Sequence, residues 1–180
     1  MKYQIGVMGS AADLKYSGDL EKMAIEIGRL IGLSGNVTVY GAEKDSDSLS
    51  TAAARGARSV GGLTIGVTYG KSKDVWGGRD NTDMIVATGM ERGGGREFVL
   101  VNSCDAIIAI SGGSGTLTEI AIAYQANIPV VVMKGSGGWA DRVGSSYLDE
   151  RNRILCVQCV SAREAVEKAL SLIPNSNEIN

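Results

Sequence analysis

The 180-residue sequence predicts an α/β fold in which a mostly parallel sheet is covered by helices on both faces. Uncharged apolar runs, typical of strands buried on both sides, alternate along the chain with segments of helical periodicity. The clearest run, 107–110, leads into a glycine-rich turn and then into a helical pattern. This length is sufficient for one hydrophobic core, so we expect a single domain at 1–173 and a polar tail at 174–180.

The individual elements follow from local patterns in chain order. Short apolar or β-branched runs predict strands at 3–8, 37–40, 63–67, 84–87, 107–110, 129–133 and 154–160. Helical spacing of apolar residues, or a run rich in alanine, predicts helices at 17–33, 51–60, 96–103, 116–125 and 161–172. Because strand ends share one edge of a parallel sheet, the turns after strands should meet there, at 9–10, 41, 112–116 and 135–139.

The composition restricts the classes of function. The net charge is −2 and no basic block is present, so nothing indicates a nucleic acid or an anionic membrane as partner. No apolar run approaches 18 residues and the N-terminus lacks a signal-peptide layout, which predicts a cytoplasmic protein. Histidine is absent, which excludes Ser-His-Asp and Cys-His catalysis and any metal held by histidine.

The three cysteines are Cys104, Cys156 and Cys159. Cys156 and Cys159 have the spacing of a redox or zinc motif, but they lie in the predicted strand 154–160. Positions three apart on a strand face opposite sides of the sheet, and no second pair of ligands is present for zinc. We therefore expect buried, reduced thiols with a structural role, and no metal site.

The turn at 112–116 predicts a site for an anion. Its glycines permit positive φ angles and a close approach of the backbone to a ligand. The helix that follows offers unpaired N–H groups and the positive end of its dipole, an arrangement that favours phosphate. The turn consists of Gly112, Gly113, Ser114, Gly115 and Thr116. The residues expected beside it after the first two strands are Gly9, Ser10 and Gly41.

Glu119 has two interpretations. Thr116 and Glu119 have the spacing of a capping box, in which the glutamate bonds back to the start of the helix. Alternatively, the carboxylate lies beside a bound phosphate sugar, where it stabilises positive charge or activates water. The two roles are compatible, and the local sequence does not separate them.

With these motifs, residues 96–119 resemble the Lonely Guy (LOG) proteins, often labelled lysine decarboxylases, and their relatives the molybdenum-cofactor carrier proteins. The resemblance rests on Arg96 near the start of a helix, Asp105 at the start of a strand and Gly-Gly-x-Gly-Thr-x-x-Glu at 112–119. Residues 121–142 and 147–154 are more similar to the carrier branch than to the plant hormone-activating enzymes.

The resemblance implies a Rossmann-like three-layer fold and a homodimer or higher homo-oligomer. Enzymes of the family hydrolyse the N-glycosidic bond of nucleoside 5′-monophosphates, giving a free base and ribose 5-phosphate. Carried over, Glu119 is the catalytic carboxylate and Arg96 its cationic partner, and no cofactor is required. The implied phosphate-binding residues are Gly9, Ser10, Gly41, Gly112, Gly113, Ser114, Gly115 and Thr116. The alternative is a non-catalytic carrier or sensor of molybdenum cofactor or another nucleotide-like ligand.

Several positions depart from the pattern of the enzymes. The loop at 41–49 is longer and carries three acids, Ser111 replaces a frequent proline, and Glu97 replaces a basic residue. The acids Asp45 and Asp47 fit either a magnesium site or an ordinary polar loop before a helix. The departures leave the nucleotide-like pocket in place, but they weaken the expectation of hydrolysis.

Two further interpretations concern residues around the pocket, and a third concerns lysine decarboxylation. Arg96 belongs to the pocket if the resemblance holds, and is otherwise an ordinary surface arginine at a helix start. Trp139 and Asp141 are candidate ligand-lining residues, and Trp139 fits core or dimer packing equally well. Lysine decarboxylation is excluded, because that reaction normally uses a lysine bound to pyridoxal phosphate and no lysine has such a context here.

Overall fold

The computed structural model describes residues 2–11, 14–93 and 95–174, and a seven-stranded sheet forms its centre. Every pair of neighbouring strands is parallel, in the order β4-β3-β2-β1-β5-β6-β7. The strands are Gln4–Gly9 (β1), Val37–Gly41 (β2), Leu63–Thr68 (β3), Met84–Ala87 (β4), Ala106–Ile110 (β5), Val130–Met133 (β6) and Val157–Cys159 (β7). The predicted α/β class is confirmed.

Six α-helices connect or follow the strands in the described ranges. They are Gly18–Leu33 (α1), Leu49–Arg58 (α2), Arg96–Asn102 (α3), Ser114–Gln125 (α4), Gly138–Arg142 (α5) and Ala162–Leu172 (α6). Among the described residues, no helix combines the length and the apolar character needed to cross a membrane. The predicted polar tail lies outside the described residues from position 175 onward.

Four elements differ from the predicted ones by two residues or more. Helix α2 spans Leu49–Arg58 rather than 51–60. Helix α4 begins at Ser114, two residues earlier than expected, and α5 was not predicted. Strand β7 covers only Val157–Cys159 rather than 154–160, because β6, its one neighbour in the sheet, pairs with it over three residues. Helix α5 has five residues including a glycine, which is too short to show a helical period.

The sheet carries a hydrophobic core on each face. Ile5, Val7 and Ile108 belong to the cluster that includes residues of α1, α2 and α6, whereas Ile107 and Ala109 belong to the cluster that includes residues of α3, α4 and α5. Alternate residues of the central strands therefore enter opposite cores, which explains why these strands contain no polar side.

The cysteines lie where the strand pattern predicts. Cys159 contributes to the first core and Cys156 to the second, on opposite faces of the sheet. All three cysteines are buried free thiols, and burial raises the pKa of Cys156 to about 11. The expectation of buried thiols is confirmed, and their reduced state stays a prediction.

Candidate functional site

A cavity of about 420 Å³ opens at the carboxyl ends of β1 and β5. The strand order reverses between these two strands, since β2 to β4 lie on one side and β6 and β7 on the other. Such a switch point is where parallel α/β sheets bind ligands. The residues that line the cavity include Gly9, Ser10, Glu43, Arg92, Arg96, Glu97, Gly113, Ser114, Gly115, Thr116 and Glu119.

One side of the cavity is lined by residues 113–116. They belong to the turn at 111–116, which we call the glycine wall. Gly112 has a φ of +97°, and a Cβ atom there would lie 2.3 Å from the side chain of Thr116. Its N–H donates to Ser10 Oγ at 2.9 Å, which ties the turn to the end of β1. Helix α4 then begins with Gly113 as N-cap and no side-chain cap. Its first N–H groups therefore lack a side-chain partner, as an anion site requires.

The capping-box interpretation of Glu119 is wrong. Because Gly113 is the N-cap of α4, Thr116 lies inside the first turn and cannot cap the helix. Glu119 is one turn further along and does not reach the N-cap. Its role must come from its surroundings in the cavity.

The glycine wall is held in place by α5 and the turn that precedes it. Ser111 has a φ of +56° and donates its N–H to Ser136 Oγ at 2.8 Å. The N–H groups of Trp139 and Ala140 donate to the carbonyls of Gly112 and Ser111, each at 2.9 Å. The proline of the LOG enzymes would fit neither feature of Ser111, because proline fixes φ near −65° and has no N–H.

Arg96 is buried in the opposite wall, with 4% of its surface exposed, so it is not a surface arginine. A Cβ at position 41 would lie 2.1 Å from Arg96 Nη1, so Gly41 admits the guanidinium over the end of β2. Nη2 donates to Glu43 Oε1 at 3.3 Å. Within the described part of the chain, Nε and Nη1 are buried without a hydrogen-bond partner. Buried donors of this kind require an acceptor, which a ligand can supply.

Arg96 belongs to a network that we call the charged wall, made of Glu43, Tyr69, Arg92, Arg96 and Glu97. Arg92 Nη2 donates to Glu43 Oε2 at 2.5 Å and to the Tyr69 hydroxyl at 2.6 Å. The guanidinium carbons of Arg92 and Arg96 lie 5.0 and 5.6 Å from the centre of the Tyr69 ring. Glu97 Oε1 lies 3.7 Å from Arg96 Nη2, and burial raises the pKa of Tyr69.

Glu119 lies where the two walls meet. It is 7% exposed and accepts no hydrogen bond from any described residue, and its nearest cation is Arg96 Nη1 at 3.9 Å. Burial raises the pKa of Glu119 to about 7, with Glu97 and Glu43 adding to the effect and Arg96 opposing it. At neutral pH this carboxyl group is therefore divided between its acid and its carboxylate form.

Two predicted residues are not brought to the cavity. Trp139 packs against the core beneath α5 and pairs with Arg142, whose guanidinium carbon is 5.0 Å from the ring centre. Asp141 accepts from the N–H of Gly135 at 2.8 Å and stabilises the turn after β6. Gly41 and Gly112 shape the walls by permitting close approach rather than by lining the cavity.

The acidic loop before α2 has a structural role at Asp47. Its carboxylate accepts from the Ser48 N–H and from Arg55 at 2.8 and 2.9 Å, and Ser48 caps α2. These contacts fit the interpretation as an ordinary polar loop before a helix rather than as a magnesium site. Among the described residues, no group of three or more cysteine, aspartate or glutamate side chains is positioned to hold a metal ion.

The sequence pattern did not point to Glu43, Tyr69 or Arg92 as site residues. Arg92 stands in a glycine-rich turn and Glu43 in the acidic loop, so the signal was a charged residue in a loop after a strand. The three residues follow three different strands, β2, β3 and β4, whose ends bring their loops together. No spacing within the sequence indicates that these residues are neighbours.

Comparison with known proteins agrees with this architecture. The chain superimposes on the X-ray structure of TM1055, a structural-genomics target, with a TM-score of 0.83 and 28% identity, over 95% of this chain and 99% of that one. The molybdenum cofactor binding protein from the phototrophic bacterium Rippkaea orientalis gives a TM-score of 0.79 at 28% identity, over 97% and 99% of the two chains. The molybdenum cofactor carrier protein from Chlamydomonas reinhardtii gives 0.79 at 28% identity, over 96% and 98%.

These structures confirm the Rossmann-like fold and the resemblance to the LOG superfamily, on the side of the molybdenum-cofactor carriers. The profile of the SLOG cluster4 family matches residues 2–166, which is most of the chain. The chain therefore belongs to the SLOG cluster4 family.

Proposed function

We propose that this protein is a carrier for a small phosphorylated ligand of the molybdenum-cofactor type. One observation carries the proposal: as far as the described residues show, the cavity joins a helix N-terminus without a side-chain cap to a buried arginine with unpaired donors. The first favours a phosphate group and the second favours an oxygen acceptor elsewhere on the ligand. Gly113 and Arg96 mark the two ends.

The relatives support a pterin-type ligand. The proteins from Rippkaea orientalis and Chlamydomonas reinhardtii are described as a binding protein and a carrier of molybdenum cofactor, and both align over nearly their whole length. The cavity volume of about 420 Å³ lies within the range of roughly 300–1,000 Å³ that is common for small-molecule sites. The expected homo-oligomer, the cytoplasmic location and the single domain at 1–173 stay predictions.

A charge placed at the helix N-terminus tests the proposal. No neighbouring atom lies within 4 Å of a Cβ built at Gly115, so aspartate fits there without steric conflict. Because its carboxylate would occupy the anion site, Gly115→Asp should reduce the co-purified pterin at least about tenfold. Pterin is measured by fluorescence after oxidation and by mass spectrometry.

Gly18→Asp is the matched control. It places an aspartate at the start of α1, where a Cβ also has open space. Gly18 does not line the cavity. The control should keep the wild-type pterin content. Wild-type protein without pterin after expression in cells that make the cofactor, or equal loss in both variants, would contradict the proposal.

Hydrolysis of nucleoside 5′-monophosphates is the second candidate function. It is favoured by Glu119, a buried carboxyl that accepts no hydrogen bond from the described residues and lies 3.9 Å from Arg96 Nη1. When ionised, it stabilises the positive charge that develops on the sugar as the glycosidic bond breaks. Release of free base by the wild type and none by Glu119→Gln, measured by chromatography, is the expected result. No release by the wild type removes this candidate and leaves the carrier.

A further inference from the structure

Glu43 places a negative charge inside the cavity that contains the N-terminus of α4 and two arginines. Its Oε2 accepts from Arg92 Nη2 at 2.5 Å and from the Tyr69 hydroxyl at 3.2 Å, and its Oε1 accepts from Arg96 Nη2 at 3.3 Å. The protein's own carboxylate therefore holds the two guanidinium groups of the charged wall, in the way that an anionic group of a ligand would hold them.

The backbone fixes Glu43 in this position. Its carbonyl accepts from the Trp76 N–H at 2.7 Å, and the N–H of the preceding Ala42 donates to the Val67 carbonyl at 3.0 Å. The side chain is 13% exposed and has three hydrogen-bond donors around it. The charge of Glu43 is therefore part of the site and is not a loop charge that moves freely in solvent.

Among the described residues, the charges of the charged wall are already balanced. Arg92 and Arg96 face the carboxylates of Glu43 and Glu97, and Glu119 adds part of a third. The charge of Arg96 is thus compensated, although its Nε and Nη1 still lack an acceptor among the described residues. An uncharged hydroxyl or carbonyl oxygen satisfies those donors without repulsion, whereas a second anion meets at least two carboxylates.

We propose that Glu43 is a specificity-determining residue that excludes an anionic group from the charged wall, while the ligand's phosphate is seated at the N-terminus of α4. This inference rests on the proposed function, because it assumes that a phosphate occupies that end. The ligand's far end, at Arg96 and Glu119, is then uncharged. Glu119 lies four residues after Gly115, about 6 Å along the helix, which is about the length of one sugar ring.

Two guanosine nucleotides test the inference. Guanosine 5′-monophosphate carries one phosphate, and guanosine 3′,5′-bisphosphate carries a second one about one sugar ring away from the first. Guanine shares the 2-amino-4-oxo ring edge of a pterin, so both probes are close to the proposed ligand. Affinities for the wild type, Glu43→Gln and Asp45→Asn are measured by titration calorimetry at fixed ionic strength.

Asp45→Asn is the matched control. It removes the same charge from the same loop, at an exposed side chain that does not line the cavity. The wild type should bind the monophosphate at least about tenfold more tightly than the bisphosphate. Glu43→Gln should improve bisphosphate binding by about tenfold and change monophosphate binding by less than about threefold. Asp45→Asn should leave both affinities at the wild-type level.

The outcomes distinguish failure of the proposal about Glu43 from failure of the proposed carrier function. Monophosphate binding that is unaffected by Glu43→Gln, together with a bisphosphate affinity no better than in Asp45→Asn, overturns the inference about Glu43 alone. A wild type that prefers the bisphosphate also overturns it. If none of the three proteins binds the monophosphate, the phosphate site at α4 is absent, and the proposed function and this inference both fail.

Discussion

The glycine wall and the charged wall face the same cavity, but they are built from different parts of the chain. The glycine wall is one continuous turn at 111–116. The polar groups that it presents to the cavity are the first backbone N–H groups of α4. The charged wall gathers side chains from the loops after β2, β3 and β4 and from the start of α3. A backbone wall depends on a few permitted φ angles, whereas a side-chain wall depends on the balance of its charges.

The glycine wall breaks most severely at Ser111, and Ser111→Pro has the largest effect that we expect. Proline cannot adopt the φ of +56° and removes the N–H that donates to Ser136 Oγ. The free energy of unfolding should fall by about 4 kcal/mol, measured by urea denaturation. Ser111→Gly keeps the N–H and accepts the φ angle, so it should retain wild-type stability. Equal stability of the two variants would show that the turn is not held as described.

Glu119, which lies where the two walls meet, should make the free energy of unfolding depend on pH. In the unfolded chain its carboxyl group ionises near the ordinary value of 4.5, whereas burial raises its pKa to about 7 in the folded protein. Between these values the folded state binds the extra proton, so Glu119 makes the free energy of unfolding fall as the pH rises. Glu119→Gln removes this loss and should be more stable than the wild type by about 3 kcal/mol at pH 8.

The difference should fall to about 0.4 kcal/mol at pH 4.5, where Glu119 is protonated in the folded state and half protonated in the unfolded chain. Urea denaturation of both proteins between pH 4.5 and 8 measures it. Glu167→Gln, on the exposed side of α6, controls for the removal of a carboxylate and should follow the wild type at every pH. A constant difference between Glu119→Gln and the wild type would place the cause in packing rather than in ionisation.

The smallest effect tests how the charged wall is fitted to the sheet. A methyl group at Gly41 would lie 2.1 Å from Arg96 Nη1, so Gly41→Ala displaces the flexible end of that side chain. We expect a loss of about 1 kcal/mol in the free energy of unfolding. In an Arg96→Ala background the same change should cost almost nothing, because its obstacle is gone. Equal losses in the two backgrounds would mean that Leu100, whose Cδ2 is 3.4 Å away, is the real obstacle.

The sequence predicted the glycine wall better than the charged wall for a physical reason. Strand β5, the turn and helix α4 are consecutive, so their local preferences are visible in one stretch of sequence. Arg96 and Glu119 were found through the spacing of a family motif. Glu43, Tyr69 and Arg92 meet only because parallel strands bring distant loops to one edge, and no local pattern contains that information.

The errors have similar causes. Trp139 and Asp141 follow a strand at the correct edge of the sheet, but the short helix α5 turns both side chains to structural contacts. That helix has a glycine at its start and no repeating apolar pattern, so its effect on the two side chains was not visible in the sequence. The capping box failed because α4 begins at Ser114, which the glycines around it made difficult to predict.

The loop that carries Glu43 has a consequence for how such proteins diversify. Backbone hydrogen bonds fix its two ends, from the Ala42 N–H to Val67 and from the Leu49 N–H to Ser10. Residues 43–46 lie between those anchors and can be exchanged while the sheet and the glycine wall keep their geometry, whereas Asp47 and Ser48 hold the start of α2. A family that shares one scaffold can therefore acquire new ligand preferences through a single short segment, without first sacrificing the site that binds the common part of the ligand.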